Sequence, residues 1–160
     1  MNHYRAPWGK LLIFTSLFAT LLCVAAGFGG WWLHSLSLGL APVLVSWLLP
    51  VLVFGCALFT VRGYVIIPDA ILVRRLFWTT RLPRAGLKSA SFEPGVMSKS
   101  LRTFGNGGFF SFTGWYWNKS LRSFRAYVTD LNRTVVLRYA DRTVVISPDE
   151  PEEFVMQLTR

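Results

Sequence analysis

GYVIIPDAILVRR, residues 63–75, marks the point where the chain changes its pattern. Two β-prone apolar segments, Tyr64–Ile67 and Ile71–Trp78, flank Pro68-Asp69. Proline presets the φ of a turn and aspartate bonds its own backbone, so the stretch reads as a β-hairpin. Everything before it is long and apolar, and everything after it is short, alternating and punctuated.

Upstream, Leu11–Leu33 and Leu38–Val61 each run past twenty positions without a charge. At about 1.5 Å per residue each could cross a hydrocarbon core of roughly 30 Å, where only a helix satisfies its own backbone. Residues 1–61 are therefore expected to form a short tail and a hairpin of two transmembrane helices. The connector His34–Ser37 has no Lys or Arg, whereas Arg5 and Lys10 precede the first run and Arg62, Arg74 and Arg75 follow the second. The positive-inside rule then predicts a multi-pass protein with both termini cytoplasmic, and Trp8, Trp31 and Trp32 fall at interfacial positions. A cleaved signal sequence over Leu11–Ala26 is the competing pattern, but the apolar run continues past it and a second follows directly. Cys23 and Cys56 fall about 12 Å apart in depth, too far for a disulfide. His3 and His34 fall on opposite sides of the membrane and share no metal.

Downstream, residues 62–160 read as a mainly-β cytoplasmic domain. Beyond the first hairpin, Leu87–Phe92, Phe109–Trp117 and Phe124–Thr129 are strand candidates, and Thr134–Tyr139 with Thr143–Ser147 form a second hairpin across Ala140–Arg142. The expectation is about seven antiparallel strands in a bent sheet or partly open barrel. A C-terminal helix closes it: Ser147 or Asp149 is placed to cap, Pro151 suits a first turn, and Phe154, Val155 and Leu158 share one face.

Three segments carry a family likeness: GYVIIPDAILVRR, LRTFGNGGFFSFTGWYWNKSLRSFRAYVTD and VVISPDEPEEFVMQL. The run Tyr64–Leu158 resembles the bacterial pleckstrin-homology-like domains that follow a membrane hairpin in small membrane proteins. The resemblance implies that fold and residence in the bacterial cytoplasmic (inner) membrane, and it assigns no ligand contact.

The residues point away from catalysis. No nucleophile with its base, paired carboxylates or metal cluster is visible, so no catalytic residue, cofactor or metal is expected. The acids at Asp149, Glu150, Glu152 and Glu153 match the dipole of the last helix. Gly105–Gly108, GNGG, lacks the Lys-Ser/Thr of a phosphate loop and reads as a turn. All eight acids and all but two of the 17 Lys and Arg lie from Arg62 onward, and Gly95–Thr129 holds five cations and no acid. Such a surface suits anionic lipid. Nucleic acid is not expected as a partner of a membrane-tethered domain.

Arg102–Ser120 packs seven aromatic rings among these cations. Strand alternation sends Phe109, Trp115 and Trp117 one way and Phe110, Phe112 and Tyr116 the other. A two-layer sheet needs one apolar face, so the second row must meet the helices, the lipid interface or a protein partner. The candidate interaction surface is thus Arg102, Phe110, Phe112, Trp115, Tyr116 and Trp117, with the cations Lys119, Arg122 and Arg125. The expected function is a membrane-anchored, non-catalytic interaction module binding anionic lipid or a protein segment. The alternative is a structural subunit or assembly factor of a membrane protein complex.

Overall fold

The computed structural model describes residues 2–36 and 40–159. The first described element is a short strand, β1 (Asn2–Arg5), which the sequence reading does not anticipate. Two helices follow, α1 (Lys10–Ser35) and α2 (Ala41–Leu58). The turn expected at His34–Ser37 runs into residues 37–39, which lie outside the described residues, as does the expected second start at Leu38. α1 has 26 residues and is long and apolar enough to cross a membrane. The two expected spans are not equals: α2 has 18 residues, about 27 Å, and its apolar part Ser46–Leu58 is shorter. It ends before Val61 because the Phe59 and Thr60 N–H groups donate to Cys56 O and Ala57 O, both at 3.1 Å, and the chain turns into a strand. Cys23 and Cys56 are free thiols.

β2 (Val61–Ile66), β3 (Ala70–Arg75) and β4 (Thr79–Pro83) follow directly. The Pro68-Asp69 turn forms as expected, closed by Ile67 N–H on Ala70 O at 2.9 Å. These strands build a four-stranded antiparallel sheet in the order β1-β2-β3-β4. Then come β5 (Leu87–Phe92), β6 (Leu101–Gly107), β7 (Phe112–Asn118), β8 (Arg122–Val128), β9 (Val135–Tyr139) and β10 (Thr143–Ile146). They form a six-stranded sheet in the order β5-β9-β10-β8-β7-β6. The chain closes with α3 (Pro151–Thr159).

Two expectations need correction. The described strands number ten rather than about seven, because the apolar run through Trp78 ends in a turn that leads into a further strand, β4, and because β1 and the glycine-rich β6 are not anticipated. Nor is every pair antiparallel: β10 lies parallel to β8, with β9 beyond it. That insertion places β9 and β10 inside the sheet, and their unbroken apolar runs, Val135-Val136-Leu137 and Val144-Val145-Ile146, are those of strands buried on both faces.

The six-stranded sheet accordingly has two cores. On one face Tyr127, Val135, Leu137, Val144 and Ile146 pack against Tyr4, Tyr64, Ile71 and Val73 of the other sheet and against Phe154 and Leu158 of α3. Phe154 is fully buried, with the Tyr4 ring 4.9 Å and the Tyr64 ring 6.4 Å away. On the other face Phe112, Tyr116, Phe124, Ala126, Val136 and Val145 pack with Met97 and with Leu12 of α1. Where the sheets meet, Tyr64 Oη donates to Tyr127 O (2.6 Å) and accepts the Ser147 N–H (3.1 Å). Burial pushes the Tyr64 phenol up to about 12. The side chains expected to cap α3 make other bonds: Ser147 Oγ accepts the Thr129 N–H (2.8 Å) and Asp149 Oδ1 the Arg5 N–H (3.0 Å).

Candidate functional site

The aromatic hairpin of β6 and β7 is divided by the sheet among three environments. Phe112 and Tyr116, predicted as surface, are core residues. The Tyr116 ring stacks on Phe124 at 6.0 Å and its hydroxyl donates to Asn106 O at 2.6 Å. Burial pushes this phenol up to about 12, against the pull of the Arg102 charge. They turn inward because β7 lies over the second core and strand alternation puts both on the face that meets it, with Gly114 between them.

The tip between the strands meets the helices. Thr15 Oγ1 donates to Gly108 O (2.5 Å), the Phe110 N–H donates to Ser16 Oγ (2.9 Å), and Ser111 Oγ donates to Phe59 O (3.2 Å). Phe110 adopts φ +63, a left-handed conformation that costs a side-chain-bearing residue about 1 kcal/mol or more. Its ring sits 6.0 Å from Trp8 and borders a cavity with Thr20, Cys23 and Ala57 of the helices. Of the three candidates for the second aromatic row, the helices take Phe110.

The glycines set the path to this tip. Gly105 and Gly114 face each other across the hairpin with φ of +111 and +134. A Cβ on either would lie 2.4 Å from Thr113 O or 2.1 Å from Phe104 O, so neither position has space for a side chain. GNGG is therefore largely strand, and the turn begins at its last glycine.

Trp115 and Trp117 are exposed, each 40% accessible, as is Phe109 before the β7 strand. Phe104 lies opposite Trp115 and Leu101 opposite Trp117, and both are more exposed still. From the other side Arg125 pairs with Trp115, its guanidinium 5.8 Å from that ring and 5.4 Å from Tyr127. Tyr127 in turn lies 5.0 Å from Arg75, which also sits over Phe59 (5.7 Å) and Trp78 (5.5 Å). An alternating series of rings and guanidinium groups thus leads from Trp115 to the end of α2. Burial lowers the pKa of the Arg75 guanidinium, opposed by Tyr127 and assisted by the Arg125 charge.

The predicted residues do not form one surface. Trp115, Trp117 and Arg125 share a face. Arg102 pairs with Tyr116 on the opposite one and lies over Gly107. Lys119 lies in the β7–β8 turn and Arg122 opens β8, about 20 Å along the strand from the tip docked on the helices.

A more concentrated set of cations was missed. A cleft of about 530 Å³ lies over β1, β2 and β3, bordered by His3, Arg5, Arg62, Arg74 and Arg75. Arg5 and Arg74 flank Gly63 across the register, on the outer face opposite Tyr4, Tyr64 and Val73. Arg62 occupies a register shift between Val61 and Gly63. No acid borders the cleft, and none of the four arginines forms an ion pair among the described residues. Sequence spacing could not reveal it, since β1 comes from the far side of both helices. The one signal was the Arg62, Arg74, Arg75 cluster, read as positive-inside bias.

No curated protein and no solved structure matches the chain. The family model described as Bacterial PH domain matches residues 62–160, covering β2 to the end of α3. With two packed sheets, the closing helix and that match, the chain belongs to the bacterial PH domain family.

Proposed function

We propose that the protein is a membrane-anchored interaction module, in which α1 and α2 form a transmembrane hairpin and hold the PH domain at the cytoplasmic face of the inner membrane. Residues 1–61 are the anchor and 62–160 the binding domain. PH domains are in general non-catalytic and bind proteins or lipids, and here the ligand is an anionic lipid surface or a protein segment.

One observation carries this reading: the sheet is fastened to the base of the apolar helices rather than hung from a linker. Leu12 of α1 is fully buried in the second core, Gly9 N–H donates to Thr129 O at 2.9 Å, and the β6–β7 tip bonds Thr15, Ser16 and Phe59. A domain so held has a fixed height and orientation above any bilayer the helices enter.

Topology is testable in a Cys23→Ala, Cys56→Ala background carrying Ser35→Cys or Lys119→Cys. A membrane-impermeant maleimide applied to intact cells should label position 35 and spare position 119. Labelling of position 119 from outside would overturn the orientation, and extraction of the protein by carbonate would overturn the anchoring.

The exposed row Leu101, Phe104, Trp115 and Trp117 favours a second reading, a subunit or assembly factor that packs against another membrane protein. Stoichiometric copurification in mild detergent, lost in Trp115→Ser with Phe104→Ser, would select it.

A further inference from the structure

The cleft over β1–β3 brings three features together at one place. Its charge is of one sign and unpaired. Arg5, Arg62, Arg74 and His3 border it, while Arg75 turns its guanidinium to the inner face over Tyr127, and the Asp149 carboxylate accepts the Arg5 backbone N–H at 3.0 Å. Like charges gathered round one cleft repel, and a bound anion relieves that repulsion; the planar donor fork of a guanidinium fits a phosphate in bidentate fashion.

Its position is set by α2. Arg62 lies four residues beyond Leu58, the last residue of that helix, so it stands within about 13 Å of the helix end. The headgroup layer of a bilayer begins at that height if α2 enters the hydrocarbon.

Its neighbour is apolar and exposed. β3 and β4 are joined by Leu76-Phe77-Trp78, closed by Arg75 N–H on Trp78 O at 2.9 Å. Leu76 borders the cleft itself, Phe77 is 72% exposed, and the Trp78 ring rests 5.1 Å from Phe59 at the end of α2. A soluble domain gains nothing by presenting three such side chains on a turn, whereas an interfacial turn buries them at the acyl boundary and keeps its flanking arginines at the phosphates.

We propose that this cleft holds the phosphate of an anionic phospholipid headgroup, with the Leu76–Trp78 turn lying in the acyl boundary beside it. The proposal rests on the reading that α1 and α2 place the domain at a membrane. It assigns lipid recognition to Arg5, Arg62 and Arg74 rather than to the cations of β7 and β8, and it leaves the Trp115 face to other contacts.

The test uses the full chain in neutral detergent, titrated with phosphatidylglycerol and, separately, with inorganic phosphate, and native mass spectrometry counts retained lipid. Arg62→Gln with Arg74→Gln should weaken retention about 30-fold, from roughly one attractive increment per cation. These side chains are exposed, so the thermal melt should not change. Phe77→Ser should weaken lipid retention and leave phosphate binding as it was. Loss of retention in Arg122→Gln with Arg125→Gln, and not in the cleft pair, would overturn the assignment. Inorganic phosphate binding as tightly as the lipid, with Phe77→Ser silent, would show a free-phosphate site and overturn the lipid. Failure of the protein to fractionate with membranes removes the anchoring reading and the proposal together, whereas a membrane-resident protein whose lipid retention ignores the cleft removes the proposal alone.

Discussion

The two faces of the six-stranded sheet are buried by different means. One is closed by the second sheet and α3, sheet on sheet and helix on sheet, with all but Tyr4, Ala6 and Val61 drawn from residues 62–160. The other is closed by the 96–97 loop, Leu121, Leu131 and the first turn of α1. The first is what a free-standing domain builds. The second would expose a strip of Phe112, Tyr116 and Phe124 without its helix, and it shows that a sheet can use the foot of an apolar helix as its missing layer.

The sharpest way to break this contrast is in the first core. Phe154→Ala removes a fully buried ring wedged against Tyr4 and Tyr64, and it should cost about 3 to 5 kcal/mol, much of a small domain's stability. Limited proteolysis should then digest the sheets while α1 and α2 survive. A mutant as resistant as wild type would remove α3 from the core.

A smaller effect is expected at Leu12→Ala, about 2 to 4 kcal/mol for a leucine buried at the edge of the second core. The informative readout is where the loss appears. If the helix supplies the missing layer, hydrogen exchange should accelerate in β7 and β8 more than in β2 and β3. Equal protection in both sheets would mean that Leu12 is packed but not structural.

The smallest prediction concerns β5 and β9, which serve both faces. Burial raises the Glu93 pKa, but hydrogen bonds from Ser91 (2.6 Å) and Arg138 (2.7 Å) outweigh it, and the net shift is downward. A carboxylate with a lowered folded-state pKa stabilises above its unfolded value and loses that contribution as pH falls through the folded one. The melting temperature should therefore drop on acidification below about pH 4.3, and Arg138→Gln should flatten that drop. Because both groups are about one-third exposed, the change should be slight.

Much of this was legible locally. The Pro68-Asp69 hairpin, the Tyr139–Arg142 hairpin and the Phe154/Leu158 face of α3 each declare themselves within ten residues, where turn chemistry and period carry the signal. β1 does not, because Asn2–Arg5 is four residues with one apolar side chain, and its partner lies beyond two helices. β4 was hidden by Leu76-Phe77-Trp78, an apolar run that imitates strand continuation but forms an exposed turn. The aromatic alternation of β7 was readable, yet which row faces inward depends on what lies under the sheet. That is decided by Leu12, Val136 and Val145, far away in sequence. The basic cleft was unreadable for the same reason, its arginines being brought together only by the β1-β2-β3 register.

The pairing of β1 with β2 also constrains what the helices between them can do. β1 immediately precedes α1 and β2 immediately follows α2, and their backbones are hydrogen-bonded from Asn2–Ile66 to Arg5–Gly63. Two strands in one sheet lie on one side of any bilayer. The parity of membrane crossings between them is therefore even, so α1 and α2 cross as a pair or not at all. Any insertion event that strands one helix across the membrane alone must first tear β1 out of the sheet, and β1 thereby acts as a check on the topology of the segment that follows it.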